Sequence, residues 1–356
     1  MATTMTSYGL NSTVIEEEDD EGFSDGLKAV MGILLGTMIV VDVCGNLLTI
    51  AAFWRDKQLR IVQNYYIFNL AVADCLVGIV SLPFYVHYTI EYYTWTFGRP
   101  FCTFWLVVDY TICAESSLMI ILISYDRFLL VSQGAQYNVK QTPIKAKVLI
   151  GISWFLAFIL YTPWLVFYNF GQPSVVEDMD CDTEFVYDST VTLITAIIEF
   201  GVPVILVSFF NIRVYLSIHE RTKNMISKQS NLAVISGKVD QSKPDEQIQR
   251  KLSRDRKAAK SLAILVVVYF VCWSPYTLMT IIKAICDSCV NEDIYEASNF
   301  LLWLNSSLNP FLYALMSSRF RENFRKILCF WKRNKVGDVR RISVQTKMMT
   351  EQTRAS

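Results

Sequence analysis

The sequence predicts an all-α membrane protein, a bundle of seven membrane-spanning helices followed by a short amphipathic eighth helix. The chain has 356 residues, of which 53% are hydrophobic. A helix needs about 20 apolar residues to cross a bilayer, and seven apolar segments reach that length. These segments cover roughly residues 28–54, 62–88, 101–130, 146–168, 189–216, 259–284 and 295–316.

The distribution of charge predicts how the bundle is oriented. Acids crowd the N-terminal tail and the connection 169–188, whereas the connection 217–258 and the tail beyond residue 317 are rich in Lys and Arg. Because short basic loops stay in the cytoplasm, we expect a multi-pass plasma-membrane protein with an extracellular N-terminus and a cytoplasmic C-terminus. The first apolar segment is too long for a cleaved signal peptide, so it is expected to remain as a span.

These features divide the chain into parts with different expected environments. The parts are an acidic extracellular tail (1–26), the seven-helix bundle (27–317) with cytoplasmic loop 3 (217–258) inside it, a membrane-surface helix (318–330) and a cytoplasmic tail (331–356). The surface helix is predicted because apolar and basic positions alternate along it. Asn11 begins an external glycosylation sequon. Cys329, which follows the basic amphipathic stretch, is a predicted palmitoylation site.

Four of the nine cysteines are expected on the outer side of the membrane. Cys102 opens the third span and Cys181 lies in the loop before the fifth, and an oxidising exterior allows this pair to form a disulfide. Cys286 and Cys289 also lie outside. A spacing that short can strain a disulfide, so the sequence leaves this second pair open.

The spans contain five carboxylates without a Lys or Arg at a comparable depth: Asp42, Asp74, Asp109, Glu115 and Glu199. A charged side chain at the bilayer centre costs at least ~2.5 kcal/mol, so each is a candidate functional residue. An acidic interior without internal bases predicts that a cation arrives from outside. Glu115 is rotated by about 120° from Asp109 on an ideal helix, so we expect it to be hydrogen-bonded to a neighbouring helix instead.

Short motifs follow one another along the spans. They are Gly45-Asn46, Asn69-Leu70-Ala71-Val72-Ala73-Asp74, Asp126-Arg127-Phe128, Trp154, Cys272-Trp273-Ser274-Pro275 and Asn309-Pro310-Phe311-Leu312-Tyr313. In this order they resemble the rhodopsin-class G-protein-coupled receptors, aminergic type, over residues 28–330. The resemblance implies a heterotrimeric G protein as partner, together with arrestin and receptor kinases.

The same motifs suggest a helix bundle that moves between two arrangements. Pro275 and Pro310 remove helical hydrogen bonds and are expected to kink their helices. A local ion pair between Asp126 and Arg127 is expected to restrain the arginine at the inner end of the third span. The resemblance implies a G-protein switch formed by Asp126, Arg127, Tyr215 and Tyr313. It also implies an allosteric sodium ion, and no other cofactor or metal, among Asp74, Ser116, Asn305, Ser306 and Asn309; a protonated, hydrogen-bonded Asp74 is the alternative.

Asp109 is the predicted ligand anchor. It lies two helical turns after Cys102 and shares a helix face with Cys113. A carboxylate among aromatic rings suits a desolvated ammonium, and the resemblance implies this role in aminergic receptors. The residues expected to bind the ligand are Asp109, Tyr110, Cys113, Glu199, Trp273, Tyr276, Thr277, Trp303, Tyr85, Tyr88 and Phe185.

Glu199 narrows the range of ligands that the site is expected to bind. It stands in the fifth span where catecholamine receptors carry serines, and a second carboxylate calls for a second donor on the ligand. Histamine has an ammonium at one end and an imidazole N–H at the other. Glu199 and Trp303 resemble the third and fourth histamine-receptor subtypes, which favours histamine and implies the inhibitory Gi/o class, lowering cyclic AMP. Tyramine, dopamine and acetylcholine are the alternatives, and Tyr269 departs from the usual Phe.

Other classes of protein fit the sequence less well. A retinal protein needs a lysine in the seventh span, and residues 294–318 contain none. A cation transporter would use a polar path or internal repeats, neither of which is found. An enzyme is not expected, because His87 and His219 lie apart from any metal-ligand cluster. Nothing in the chain indicates nucleic-acid binding.

Overall fold

The computed structural model describes residues 23–168, 176, 179–235 and 246–329. Over these residues the chain is helical and contains no strand, which confirms the predicted fold class. The helices are α1 (Asp25–Arg55), α2 (Val62–Leu76, a π turn Val77–Ser81, and Leu82–Ile90), α3 (Arg99–Gln133), α4 (Pro143–Phe167), α5 (Ser189–Ala196, a π turn Ile197–Gly201, and Val202–Ile235), α6 (Glu246–Ile285), α7 (Glu292–Met316) and α8 (Ser318–Leu328).

Helices α1 to α6 each contain a stretch long and apolar enough to cross a membrane. The seventh predicted span corresponds to α7, which is more polar. It carries Asn305, Ser306 and Asn309 on a buried face, so these polar groups point into protein rather than toward lipid. A spanning helix of this kind is built to line the interior of a bundle.

Helix α3 occupies the centre of the bundle, in contact with α2, α4 and α5. Helix α1 packs on α2 and α7, and α6 packs on α5 and α7. Gly45 permits the close approach of α1 to α7, because a Cβ atom there would lie 2.9 Å from Cγ of Pro310. Helix α8 follows the cap residue Ser317 and packs against α7 and α1, where Arg319 Nε donates to Asp56 Oδ2 at 2.7 Å.

Within the predicted cytoplasmic loop 217–258, residues 217–235 and 246–258 are helical, and the cytoplasmic location of this segment stays a prediction. Helix α5 continues to Ile235 and α6 starts at Glu246. Residues 217–235 contain no Gly or Pro, so polarity alone does not end the helix, whereas Gly237 and Pro244 fall within the interval between the helices. That interval, Asn11 and the tail 331–356 lie outside the described residues, and the predictions made for them stand as predictions.

Glu115 joins three helices, as its position on α3 predicts. Its Oε1 accepts hydrogen bonds from Asn69 Nδ2 at 2.7 Å and from Ser153 Oγ at 3.0 Å. Trp154 Nε1 in turn donates to Asn69 Oδ1 at 3.1 Å. The carboxyl group is fully buried, so it links α2, α3 and α4 through polar contacts that water does not reach.

Replacing Glu115 with Ala is expected to destabilise the bundle. The substitution leaves the Asn69 amide without its buried acceptor, which costs about 1–3 kcal/mol, whereas Ser153 keeps the backbone oxygen of Ile150 at 2.7 Å. The purified, detergent-solubilised protein should therefore unfold at a lower temperature than the parent. Glu115→Gln retains a carbonyl acceptor and serves as the control. An equal loss of thermal stability in both variants would assign the effect to the charge rather than to the acceptor.

Candidate ligand-binding site

A cavity of about 340 Å³ lies between the helices at the end of the bundle that carries Cys181. Eight of the predicted ligand-binding residues line it: Tyr85, Tyr88, Asp109, Tyr110, Cys113, Glu199, Tyr276 and Trp303. These side chains come from α2, α3, α5, α6 and α7. The cavity therefore brings together the two carboxylates that the sequence placed in separate spans.

Asp109 lies deep in this cavity and is buried. Cys113, one turn further along α3, points its Sγ atom toward Asp109 Oδ1 at 3.8 Å. The rings of Tyr85 and Trp303 meet edge to face with their centroids 4.4 Å apart, and both line the cavity. The arrangement combines a buried carboxylate with electron-rich rings, the chemistry that attracts a desolvated ammonium.

Glu199 lies in the π turn of α5, at Ile197–Gly201. A π turn holds one residue more than an α-helical turn and is frequent at functional sites. Glu199 is partly buried and lines the main cavity together with a small chamber of about 30 Å³. Phe185 and Thr277, the two other predicted ligand-binding residues near this side, line the small chamber. Tyr110 and Tyr276 separate the two spaces and contact both.

Trp273, which the sequence predicts to bind the ligand, does not line either space. It is buried and packs against Tyr269 with ring centroids 5.2 Å apart. The hydroxyl of Tyr269 lies 3.2 Å from Ser117 Oγ on α3. The extra hydroxyl at position 269 thus provides a polar contact between α6 and α3 that Phe would lack, directly beside Trp273.

The loop between α4 and α5 forms part of the cavity wall. A disulfide joins Cys102 to Cys181 and fixes this loop to the start of α3. An ion pair between Arg99 Nη2 and Glu184 Oε1 at 2.8 Å adds a second link. The structure also contains the disulfide between Cys286 and Cys289, the pair that the sequence left open.

Several cavity residues were missing from the sequence prediction: Tyr93, Trp105, Leu106, Asp180, Cys181, Asp182, Lys283, Tyr295, Glu296, Asn299 and Leu302. Glu296 accepts a hydrogen bond from the Tyr85 hydroxyl, and Asn299 Nδ2 donates to the same hydroxyl at 2.8 Å. Helical spacing could have found these two residues, since they lie seven and four positions before Trp303 on one face of α7. The loop acids carry no such periodic signal.

The cavity is strongly acidic at its outer end. Asp180, Asp182 and Glu296 join Asp109 and Glu199 on its wall, and Lys283 is the one lysine or arginine among the lining residues that the structure describes. Lys283 Nζ lies 4.8 Å from the ring centroid of Tyr295. Five carboxylates and one lysine on the same wall create a negative potential that attracts small cations into the cavity.

The loop acid Asp182 has a perturbed acidity. Burial raises the pKa of its carboxyl group to about 6, and the neighbouring Asp180 adds to the rise. The backbone N–H of Thr183 and the charge of Lys283 oppose it. Asp182 is therefore negatively charged at neutral pH and loses its charge when the medium becomes mildly acidic.

Comparison with known proteins identifies the family. The family described as 7 transmembrane receptor (rhodopsin family) matches residues 45–313. The chain belongs to the rhodopsin family of seven-transmembrane receptors. The Histamine H4 receptor of Homo sapiens is 31% identical over 369 residues, covering 86% of this receptor and 93% of that relative. The Histamine H4 receptor of Mus musculus is 30% identical over 365 residues, with coverage of 85% and 93%.

A second group of relatives is named as receptors of another amine, acetylcholine. The Muscarinic acetylcholine receptor M1 of Macaca mulatta is 23% identical over 418 residues, covering 86% of this receptor and 90% of that relative. Histamine and acetylcholine, which appear in the names of the two groups, are both small cationic amines, in agreement with the predicted aminergic class. Receptors of this family are not enzymes, and they span the membrane several times.

The residues expected to hold sodium lie together below the ligand cavity. Asp74 accepts hydrogen bonds from Ser116 Oγ at 3.3 Å and from Asn309 Nδ2 at 2.8 Å. Asn305 and Ser306 are buried on the adjoining face of α7. This set of carboxylate, hydroxyl and amide oxygens is chemically suited to a hard cation.

Asp42 extends this polar core toward α1. Its Oδ1 accepts a hydrogen bond from Asn46 Nδ2 at 2.7 Å, and the same nitrogen lies 3.3 Å from the backbone oxygen of Ser306. The side chain is fully buried and packs so closely on α2 that a Cβ atom at Gly78 would lie 2.9 Å from Asp42 Oδ2. Gly78 thus supplies the room that this unexpected acid needs.

Near the C-terminal end of α3, the contacts of Asp126 and Arg127 differ from the ion pair that the sequence predicts. Arg127 Nη1 donates to Gln63 Oε1 on α2 at 3.1 Å, and the Tyr137 hydroxyl donates to Asp126 Oδ1 at 2.6 Å. Among the described side chains, no direct ion pair joins Arg127 to Asp126, and each forms a hydrogen bond with another element instead. The two tyrosines of the predicted switch differ in their surroundings: Tyr215 is 65% exposed, whereas Tyr313 is 1% exposed.

Proposed function

We propose that this receptor is activated by histamine, bound between Asp109 and Glu199. The observation that carries the proposal is the presence of both carboxylates on the wall of one cavity. Asp109 pairs with the ammonium, and Glu199 accepts a hydrogen bond from the imidazole N–H at the other end. The names of the histamine relatives support the same ligand.

Acetylcholine is the second candidate, on the strength of a specific feature. Tyr110, Tyr276 and Trp303 line the cavity together with Asp109, a set that suits a quaternary ammonium. The muscarinic relatives agree with this chemistry. Acetylcholine has no donor for Glu199, so it would leave a buried acceptor unpaired, which favours histamine. Tyramine and dopamine remain in the comparison because each carries a ring hydroxyl that can donate to Glu199.

Signalling is proposed to follow from a shift between two arrangements of the bundle. The bonds of Arg127 to Gln63 and of Asp126 to Tyr137 hold the resting arrangement. A ligand that binds the other arrangement better shifts the balance by no more than its difference in affinity for the two. Release of Arg127 then exposes the inner end of α3 to a heterotrimeric G protein of the Gi/o class, with arrestin and receptor kinases acting later.

The remaining proposals concern placement and modification. The cavity mouth faces the cell exterior and α8 lies on the inner membrane surface, with palmitoylation at Cys329, which is exposed at the end of α8. A sodium ion is proposed at Asp74, where it stabilises the resting arrangement. Glycosylation is proposed at Asn11.

The deciding experiment is a G-protein activation assay in cells expressing the chain, with histamine, acetylcholine, tyramine, dopamine and serotonin tested in parallel. Selective activation by histamine at sub-micromolar concentration, accompanied by lower cyclic AMP, is the expected result. Potent activation by another of these amines would retain Asp109 as the anchor and overturn the role given to Glu199.

The acidity of Asp182 predicts that cation binding depends on pH. As the pH falls from 7.5 through about 6, Asp182 is neutralised, and the cavity loses one of its negative charges. Affinity for a quaternary ammonium ligand, whose own charge is constant, should then fall by roughly threefold. Radioligand binding between pH 5.5 and 7.5 measures the effect. In Asp182→Asn this part of the pH dependence should vanish; an identical profile in both proteins would exclude Asp182 as its source.

A further inference from the structure

The turn that follows the second half of α2 has an uncommon backbone conformation. Tyr92 and Tyr93 have φ angles of 52° and 58°, in the left-handed region. In the part of the chain that the structure describes, no other residue except glycine has a positive φ angle. Helices often end in this conformation, but glycine or asparagine usually adopts it, because a Cβ atom makes it costly. Two successive tyrosines there store backbone strain that their surroundings must offset.

The base of this turn is held on both sides. The N–H group of Tyr93 donates to the backbone oxygen of Tyr88 at 2.8 Å. Two residues later Trp95 is buried, and its backbone N–H donates to the backbone oxygen of Met179 at 2.6 Å. The turn is therefore attached to α2 at one end and to the loop between α4 and α5 at the other, and the strain is confined to its tip.

The aromatic ring of Phe23 packs on the tip of the turn. Phe23, which precedes α1, lies edge to face with Tyr92 at a centroid distance of 5.0 Å and with Tyr93 at 6.4 Å. Pairs of this geometry at about 4.5–7 Å are favourable beyond the area that they bury. Tyr93 lines the ligand cavity, whereas Phe23 and Tyr92 are not among its lining residues. Phe23 thus supports a residue of the cavity wall from outside the cavity.

These contacts continue across the outer end of the cavity. The ring centroid of Tyr93 is 5.5 Å from that of Tyr88, and the Tyr88 hydroxyl donates to Asp180 in the loop between α4 and α5. Tyr88, Tyr93 and Asp180 all line the cavity. The series therefore links the segment before α1 to the opposite loop through side chains at the cavity mouth.

We propose that Phe23 and the turn at Tyr92 and Tyr93 form an aromatic clasp over the mouth of the cavity, and that a ligand passes only when the clasp is open. The strained backbone favours opening and the ring contacts favour closure, so the turn is suited to alternate between the two. The fraction of time spent open multiplies the rates of ligand entry and exit alike. The proposal rests on the proposed function in taking the cavity as the ligand site.

Phe23→Ala distinguishes gating from ligand contact. Loss of the edge-to-face contacts should raise both the association rate and the dissociation rate of tritiated histamine by about threefold to tenfold, while the dissociation constant changes by less than about twofold. Radioligand binding to the full-length receptor in membranes measures the two rates. A faster dissociation with a matching loss of affinity would make Phe23 a ligand contact and overturn the clasp, as would two unchanged rates.

Two further variants test the ring pair itself. Phe23→Tyr keeps the ring and should keep the rates of the parent. Tyr92→Ala removes the other partner of the closest pair, so it should accelerate both rates as Phe23→Ala does. Because the two residues act through one contact, the double variant should be no faster than Phe23→Ala. Additive effects in the double variant would show that the two rings act separately, and would contradict the clasp.

Hydrogen–deuterium exchange tests the clasp without a ligand. In the ligand-free receptor, the backbone amides of residues 88–97 should exchange faster in Phe23→Ala than in the parent, because the turn is open for a larger fraction of the time. Phe23→Tyr should exchange as the parent does. Equal exchange in Phe23→Ala and the parent would overturn the proposal. A parent receptor that did not bind histamine would contradict the proposed function, and the exchange comparison would decide on the clasp independently.

Discussion

Asp109→Asn should reduce the potency of histamine by at least a hundredfold. The substitution leaves the ligand ammonium in a buried cavity without its counter-charge, and breaking one side of a buried ion pair costs about 3–5 kcal/mol. Aspartate and asparagine have nearly the same shape, so the cavity itself is retained. A G-protein activation dose–response at matched surface expression measures the loss.

Glu115→Gln provides the matched control for this substitution. It makes the same change, carboxylate to amide, at another buried position of α3, but Glu115 faces Asn69 and Ser153 rather than the cavity. Its histamine potency should match the parent. If both variants lost potency to the same degree, the effect would come from removing a buried acid of α3 in general. Undiminished potency in Asp109→Asn would exclude Asp109 as the residue that pairs with the ligand ammonium.

Glu199→Gln should discriminate between ligands. Glutamine retains a carbonyl acceptor but no charge, so a hydrogen bond to a charged acceptor (about 1.5–3 kcal/mol) becomes a neutral one (about 0.5–1.5 kcal/mol), and the potency of histamine should fall by roughly tenfold. Phenethylamine has an ammonium and an aromatic ring but no ring donor, and its potency should change little. Measuring both ligands on both proteins separates the imidazole contact from any general loss of charge in the cavity.

Thr195→Val is a suitable control on the same helix. Thr195 lines the small chamber beside Glu199, and its hydroxyl donates to the backbone oxygen of Thr192 at 3.0 Å rather than pointing a free group at a ligand. The variant keeps the side-chain volume and should leave the preference for histamine intact. Equal losses for histamine and phenethylamine in Glu199→Gln would contradict the two-carboxylate arrangement.

Much of the ligand site could be predicted because its signals are local and periodic. The spacing of Asp109 and Cys113 places them on one helix face. An acid such as Glu199 in an apolar span is recognisable as a candidate functional residue because placing a carboxylate in the membrane is energetically costly. The seven spans follow from hydropathy for the same reason: a backbone in lipid must satisfy its own hydrogen bonds. Glu115 was also placed correctly, since the rotation from Asp109 directs it toward a neighbouring helix.

The remainder depends on long-range geometry that one sequence does not encode visibly. Asp182 reaches the cavity because a disulfide from Cys181 ties an irregular loop to α3, and no periodicity describes such a loop. Arg127 pairs with Gln63 rather than with its neighbour Asp126, and this choice depends on how α2 and α3 are aligned. Adjacency along the chain suggested the ion pair, but adjacent helical residues point in different directions.

The π turn at Ile197–Gly201 sets the register of α5, and with it the side chains of Ser189–Ala196 that can face the cavity. An α-helix advances about 100° per residue, so deleting one residue from this turn would rotate Ser189–Ala196 by that amount relative to the remainder of α5. The deletion would change which side chains face the ligand without substituting any of them. Two receptors that differ by one residue in this turn could therefore present different side chains to the cavity. Selectivity for a ligand can change through a one-residue insertion or deletion as well as through substitutions.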